Sequence, residues 1–125
     1  MTQITNVGLA GTNVAQTRPV SVIPAGTTTG AGAFFSSIAS YDTAKNNFTA
    51  SVTSAGTIGG GATAALYLSH DGVNFWTAIA AVAIPPTGGT INLSASLQVA
   101  TYAAVGISGS WTGGGTIQAT IAAAL

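Results

Sequence analysis

The sequence predicts an all-β fold built as an antiparallel β-sandwich. Three observations lead there. Apolar and polar residues alternate with period 2 in six separate segments, which places successive side chains on opposite faces of a strand. The connectors between them are rich in turn-forming residues, as in Gly59-Gly60-Gly61 and Pro85-Pro86-Thr87-Gly88-Gly89. Helical periodicity is weak, and Gly, Thr and Ser occur throughout the chain.

Residues 1–45 read as an N-terminal arm with edge strands, and residues 46–125 as the sandwich. Asn13 to Ile23 contains strand-like pieces broken by Pro19 and Pro24, and Gly26 to Gly32 is a flexible Gly/Thr/Ala stretch. Phe34 and Phe35 then supply an apolar anchor. In the first sandwich strand Phe48, Ala50 and Val52 share one face, while Asn47, Thr49, Ser51 and Thr53 share the other. Thr63 to Ser69 sorts Ala64, Leu66 and Leu68 against Thr63, Ala65, Tyr67 and Ser69. Phe75 to Ile84 is apolar on both faces and reads as a central strand. Ile91, Leu93, Ala95, Leu97 and Val99 alternate with Asn92, Ser94, Ser96 and Gln98, with a bend expected near Ala95. Thr101 to Ser108 follows. The last strand sets Ile117, Ala119, Ile121 and Ala123 against Thr116, Gln118, Thr120 and Ala122. Short strands at this spacing suit an Ig-like or jelly-roll-like sandwich with an extended N-terminal arm.

Charge is scarce. Arg18, Asp42, Lys45 and Asp71 are the four fully charged side chains in 125 residues, where about a quarter of residues is usual. A monomer of 12.1 kDa exposes roughly 6,000 Å², so this is about one charge per 1,500 Å². A standard interface takes about 800 Å² from each partner, so uncharged contact patches are available on most sides. The formal net charge is zero, which removes mutual repulsion between copies. Apolar residues at 47% argue against disorder. Two cations are too few for the phosphate contacts of nucleic-acid binding. The longest apolar run, Ala78 to Pro86, is too short for a membrane helix, and Met1 to Asn6 has neither the basic nor the apolar region of a signal peptide.

The sharpest motif is Leu66-Tyr67-Leu68-Ser69-His70-Asp71-Gly72-Val73-Asn74-Phe75-Trp76. Asp71-Gly72 between two apolar strands signals a hairpin tip, because Gly accepts positive φ and Asp bonds backbone donors in the turn. Ser69 and Asn74 flank the same turn. A hydrolytic triad of Ser69, His70 and Asp71 is disfavoured, since neighbours along a strand point to opposite faces. A metal site from His70, Asp71 and Asn74 lacks enough ligands, and no Gly-rich loop matches a phosphate-binding pattern. The reading is therefore no catalytic, cofactor or metal site, and no enzyme. Trp76 is expected to be packed mid-strand. Trp111, in a Gly-rich loop, joins Phe34 and Phe35 as a candidate interface residue; a sugar-stacking role for the two tryptophans is the rival reading.

The segment strand, Ser69-x-Asp71-Gly72-x-Asn74-Phe75-Trp76, strand, followed by a Gly-rich turn and closing strands through Thr116-Ile117-Gln118-Ala119-Thr120, resembles the small β-sandwich modules of tailed-bacteriophage virion proteins. The likeness covers about residues 46–125. It implies a structural protein of the virion, assembled in the host cytoplasm, and first of all a capsid decoration (cement) protein. The partners it implies are the major capsid protein or other virion proteins, together with sister copies, most naturally as a trimer. The arm from Met1 to Ala33 is then expected to reach a neighbour or the shell. The alternative is a carbohydrate- or host-surface-binding module of a tail or fibre. No nucleic acid and no membrane enter either reading.

Overall fold

The computed structural model describes residues 2–3, 12–13, 20–27, 33–109 and 114–125. It contains β1 (Thr2–Gln3), β2 (Thr12–Asn13), β3 (Val20–Thr27), β4 (Phe34–Phe35), β5 (Ala39–Ala55), β6 (Thr63–Ser69), β7 (Asn74–Ala83), β8 (Gly89–Ser108) and β9 (Thr116–Ala124). There is no helix among the described residues. The strands follow the order β1-β7-β6-β8-β5-β9-β3, with β2 added alongside β5 and β4 alongside β8. All pairings are antiparallel except β2 with β5.

Two long strands turn this path into a sandwich. Gly89 to Ser96 of β8 pairs with β5, whereas Tyr102 to Ser108 pairs with β6. One layer is thus β7, β6, the second half of β8 and, along its other side, β4 and the start of β5, where Ala39 and Ser40 face Ala103 and Tyr102. The other is the first half of β8, then β5, β9 and β3. The inner faces carry the alternating apolar residues in register. Ala50 lies between Leu93 and Ile121, and Val52 between Ile91 and Ala119. Across the core, Leu66 stands beside Val105 and Leu68 beside Ala103. These residues join Phe48, Ile107, Ile117 and others in one buried cluster. Losing a fully buried ring such as Phe48 removes about 3–5 kcal/mol.

Several expectations change here. Ile91 to Val99 and Thr101 to Ser108 form one strand, not two. Its turn from layer to layer falls at Leu97, whose φ of 61° is left-handed. That geometry costs a non-glycine residue about 1–2 kcal/mol. The switch also breaks the alternation phase. Leu97 and Val99, aligned in sequence with buried Leu93, are 84% and 52% exposed. β7 is not central, because beyond Asn74 and Phe75 its described partner is β6 alone. Its apolar outer half, Ala80 to Ala83, is exposed.

Within residues 1–45, Val20 to Thr27 pairs with β9 and buries Val22 and Ile23 in this chain's own core. Strand β5 runs without a break across residue 45. The remainder of the expected arm, apart from β1, β2 and Ala33, lies outside the described residues, as does Arg18.

Among the described residues, one buried side-chain polar atom has no partner: the hydroxyl of Tyr41, whose ring packs edge-on against Phe48 at 6.0 Å. Burial pushes this phenol up to about 12.

Candidate functional site

The β6–β7 hairpin is built around Asp71. Its Oδ1 accepts the backbone N–H groups of Val73 (2.9 Å) and Asn74 (2.8 Å), and Oδ2 accepts the Asn74 side-chain amide (3.1 Å). The Ser69 hydroxyl accepts from the backbone N–H of Gly72 at 2.9 Å and of Asp71 at 3.2 Å. Its proton is shared between the Asn74 carbonyl (2.6 Å) and Asp71 Oδ1 (2.9 Å). Ser69, Asp71, Gly72 and Asn74 therefore come together in one closed network. These donors, the backbone N–H of Asn74 first, hold the Asp71 carboxyl well below the usual carboxylate range. Both oxygens are engaged within the turn, so Asp71 is poorly placed to act on an external group.

Three contacts dock this tip on the bend of β8. Gly72 has φ +78°, and a Cβ added there would stand 3.2 Å from the Tyr102 ring, so both backbone and space call for glycine. Thr101 Oγ1 donates to the His70 carbonyl at 3.2 Å. Trp76 Nε1 donates to Gln98 Oε1 at 2.9 Å. Trp76 is half-buried, and the exposed His70 ring lies against it at a centroid distance of 4.8 Å, tilted by 44°. Tyr102, Gln98 and Thr101 had no local signal in the sequence, because each meets its partner across 22 or more positions.

Phe34 and Phe35 pair with Ile107 and Gly106 beside the second half of β8; Phe34 packs against the main core, and Phe35 against Tyr67 and Tyr102 in a second cluster around Phe75 and Ala104. Phe35 meets Tyr67 edge-on at 5.5 Å. Both rings lie over Gly106, where a Cβ would collide with Tyr67. Beside them opens a cavity of about 140 Å³, walled by Phe34, Phe35, Tyr67 and Ile107. Phe34 and Phe35 thus gather at the C-terminal end of β8, and Phe35 shares a cluster with Phe75 and with Tyr102, the ring that Gly72 of the Asp71 hairpin meets. Trp111 lies outside the described residues.

The outer face of the second layer carries rows of small uncharged polar groups. Thr49, Ser51 and Thr53 of β5 are bonded across to Ser94 (3.1 Å), Asn92 (2.7 Å) and Thr90 (2.8 Å) of β8. Thr120 and Gln118 of β9 continue the rows beside Ser51 and Thr53. Such pairs bond to each other rather than reach out for charged ligands.

Among the described residues, no three of His, Cys, Asp and Glu gather where they could hold a metal ion. In the same set, no helix is long and apolar enough to cross a membrane.

No protein-family model matches the chain, and no curated protein matches it. Solved structures of similar shape include two of viral origin. One is tailspike protein 4 of bacteriophage CBA120, described as its enzymatically active domain, at a TM-score of 0.50 and 16% identity. The other is infectious bursal disease virus, Gt strain, at a TM-score of 0.43 and 14% identity. The matches cover 86% and 82% of this chain, but only 15% of the tailspike chain and 31% of the viral one. At these identities the tailspike match bears on the fold alone: this chain has an all-β architecture similar to a portion of a phage tailspike.

Proposed function

We propose that the protein is a non-enzymatic structural component of a bacteriophage virion, and most specifically a capsid decoration protein. It would pack onto the shell and onto sister copies, with a trimer as the natural assembly. The observation that carries this reading is the near absence of charge on a folded sandwich: four charged side chains in the whole chain. One of them, Asp71, is engaged within its own turn. A second, Lys45, is buried. A surface of this kind gains little from free solution and loses little when covered. Binding only the assembled shell stabilises that state by mass action. The shape shared with a phage tailspike is in keeping with a virion setting.

Localising the chain in intact particles tests the proposal. Labelled protein should bind purified capsids saturably and raise their resistance to heat or chelators. A chain that left capsids unbound and unprotected would remove the decoration role.

A tail or fibre module that binds a host-surface glycan is the second reading. The half-exposed Trp76 beside the exposed His70 ring favours it, since sugars stack on exposed aromatic faces. Glycan binding that disappears in Trp76→Ala would establish it. The absence of catalysis is part of the proposal, and hydrolase activity abolished by His70→Ala would contradict it.

A further inference from the structure

Leu97 combines two features that bring the isolated chain no return. Its backbone is left-handed, φ 61°, and its side chain is 84% exposed. Such a conformation persists only where the surroundings impose it. Here they do. On its C-terminal side Gln98 is held by Trp76 and Thr101 by the His70 carbonyl. On its N-terminal side Ser96 is in register with Asn47. The result is a fixed apolar knob, with Val99 exposed beside it. No ionisable side chain other than the Tyr102 phenol occurs between Gly72 and Leu125.

A receptor of matching chemistry exists on the same chain. The cavity of about 140 Å³ has walls from Phe34, Phe35, Tyr67 and Ile107, is completed by Ala33, Gly106 and Ser108, and is open to solvent, so its apolar part is the aromatic wall. An apolar cavity of about 150 Å³ holds one benzene-sized group, so a leucine side chain fits. The stretch of β8 from Leu97 to Ile107 spans up to about 33 Å at ~3.3 Å per residue. Leu97 sits at the bend in the middle of β8 and the cavity at that strand's C-terminal end, so the chain cannot fill its own cavity with Leu97.

We propose that Leu97 of one copy inserts into the Phe34–Phe35–Tyr67 cavity of the next, a head-to-tail contact between sister copies. It presupposes the self-assembly proposed above. The contact joins two different patches, so it closes into a ring if the rotation permits and otherwise extends into a filament. A ring of three is the arrangement consistent with a trimer.

The chain has no cysteine, so an introduced pair reports only on itself. Wild type, Leu97→Asn and the control Val82→Asn are compared by sedimentation and by thermal melting. Asn accepts left-handed φ, so the variant keeps its fold. Leu97→Asn is expected to raise the concentration for half-assembly at least tenfold without lowering the melting temperature, while Val82→Asn leaves assembly unchanged. In a second arm, tagged Leu97→Cys is mixed with untagged Ala33→Cys, at the rim of the cavity, and oxidised mildly. It should form the mixed disulfide faster than with Val82→Cys. If wild type assembles and Leu97→Asn assembles equally well, or if the Ala33 pairing is no faster than the Val82 pairing, this contact is wrong and self-assembly stands. A wild-type chain that stays monomeric at the highest concentration overturns self-assembly and the contact with it.

Discussion

Asp71 shows how one side chain can serve a turn completely. Its carboxylate accepts three donors from Val73 and Asn74 and contacts the Ser69 hydroxyl, and these lower its folded-state pKa below the unfolded value. A depressed carboxylate contributes stability that is present above the unfolded pKa and lost as pH falls through the folded one. The melting temperature should therefore hold at mildly acidic pH and fall below about pH 4. Asp71→Asn should flatten that fall, and an acid profile unchanged in the variant would refute the assignment. Tyr41 is the opposite case. Its unpartnered hydroxyl is buried and its phenol is raised to about 12, so the stability it permits is present below about pH 10 and is lost as pH rises toward 12. Removing the orphan hydroxyl in Tyr41→Phe should leave the protein as stable or more so, by about 1 kcal/mol, and should reduce its alkaline loss in denaturant titrations. The Asp71-Gly72 turn was legible from sequence because its logic is local. The orphan state of Tyr41 was not, because it depends on what the fold brings around it.

Strands at the margins of the sheet carry their own protection. β7 is apolar and exposed over Ala80 to Ala83, yet its pairing with β6 shifts register between Ala64 and Leu66 and again between Leu66 and Tyr67. Each shift leaves an extra residue on β7, a bulge that twists the edge away from a flat template. β3 uses Pro24 and two register shifts against β9 for the same end. Replacing the edge proline, Pro24→Val, should preserve the fold but speed aggregation, measured as light scattering at constant stability. Alternation fixed which residues of β5, β6 and β9 face inward with few errors. It failed on β8 because period 2 carries no mark of a layer switch: Leu97 and Val99 keep the rhythm of Leu93 and Ala95 while the strand rolls over beneath them. It failed on β7 because an apolar strand on both faces looks the same whether it is central or a bulged edge.

Taken as one body, the molecule has almost nothing for salt to screen. Contacts between charges weaken beyond a Debye length of about 10 Å at 0.1 M, but apolar and hydroxyl contacts do not. Self-association should be insensitive to NaCl from about 50 mM to about 1 M and strengthened by sulfate, which favours burial of surface. A sedimentation series across salt decides this, and dissociation on adding NaCl would point to an ionic interface instead. The charge count and the all-β class were plain in the sequence. The self-contact was not, because its two halves, Leu97 and the Phe34–Phe35 cavity, acquire meaning only when the fold exposes the one at the bend of β8 and opens the other at that strand's C-terminal end.

Strand β8 has a mechanical consequence. A load applied at its bend enters both layers through one unbroken backbone, on whose two halves the ladders to β5 and β6 hang. Pulled along that backbone, the ladders are strained in shear, many hydrogen bonds at once, rather than peeled apart one at a time as at the tip of a hairpin. The corner at Leu97 is thereby the place where this small sandwich can be gripped hardest without coming undone.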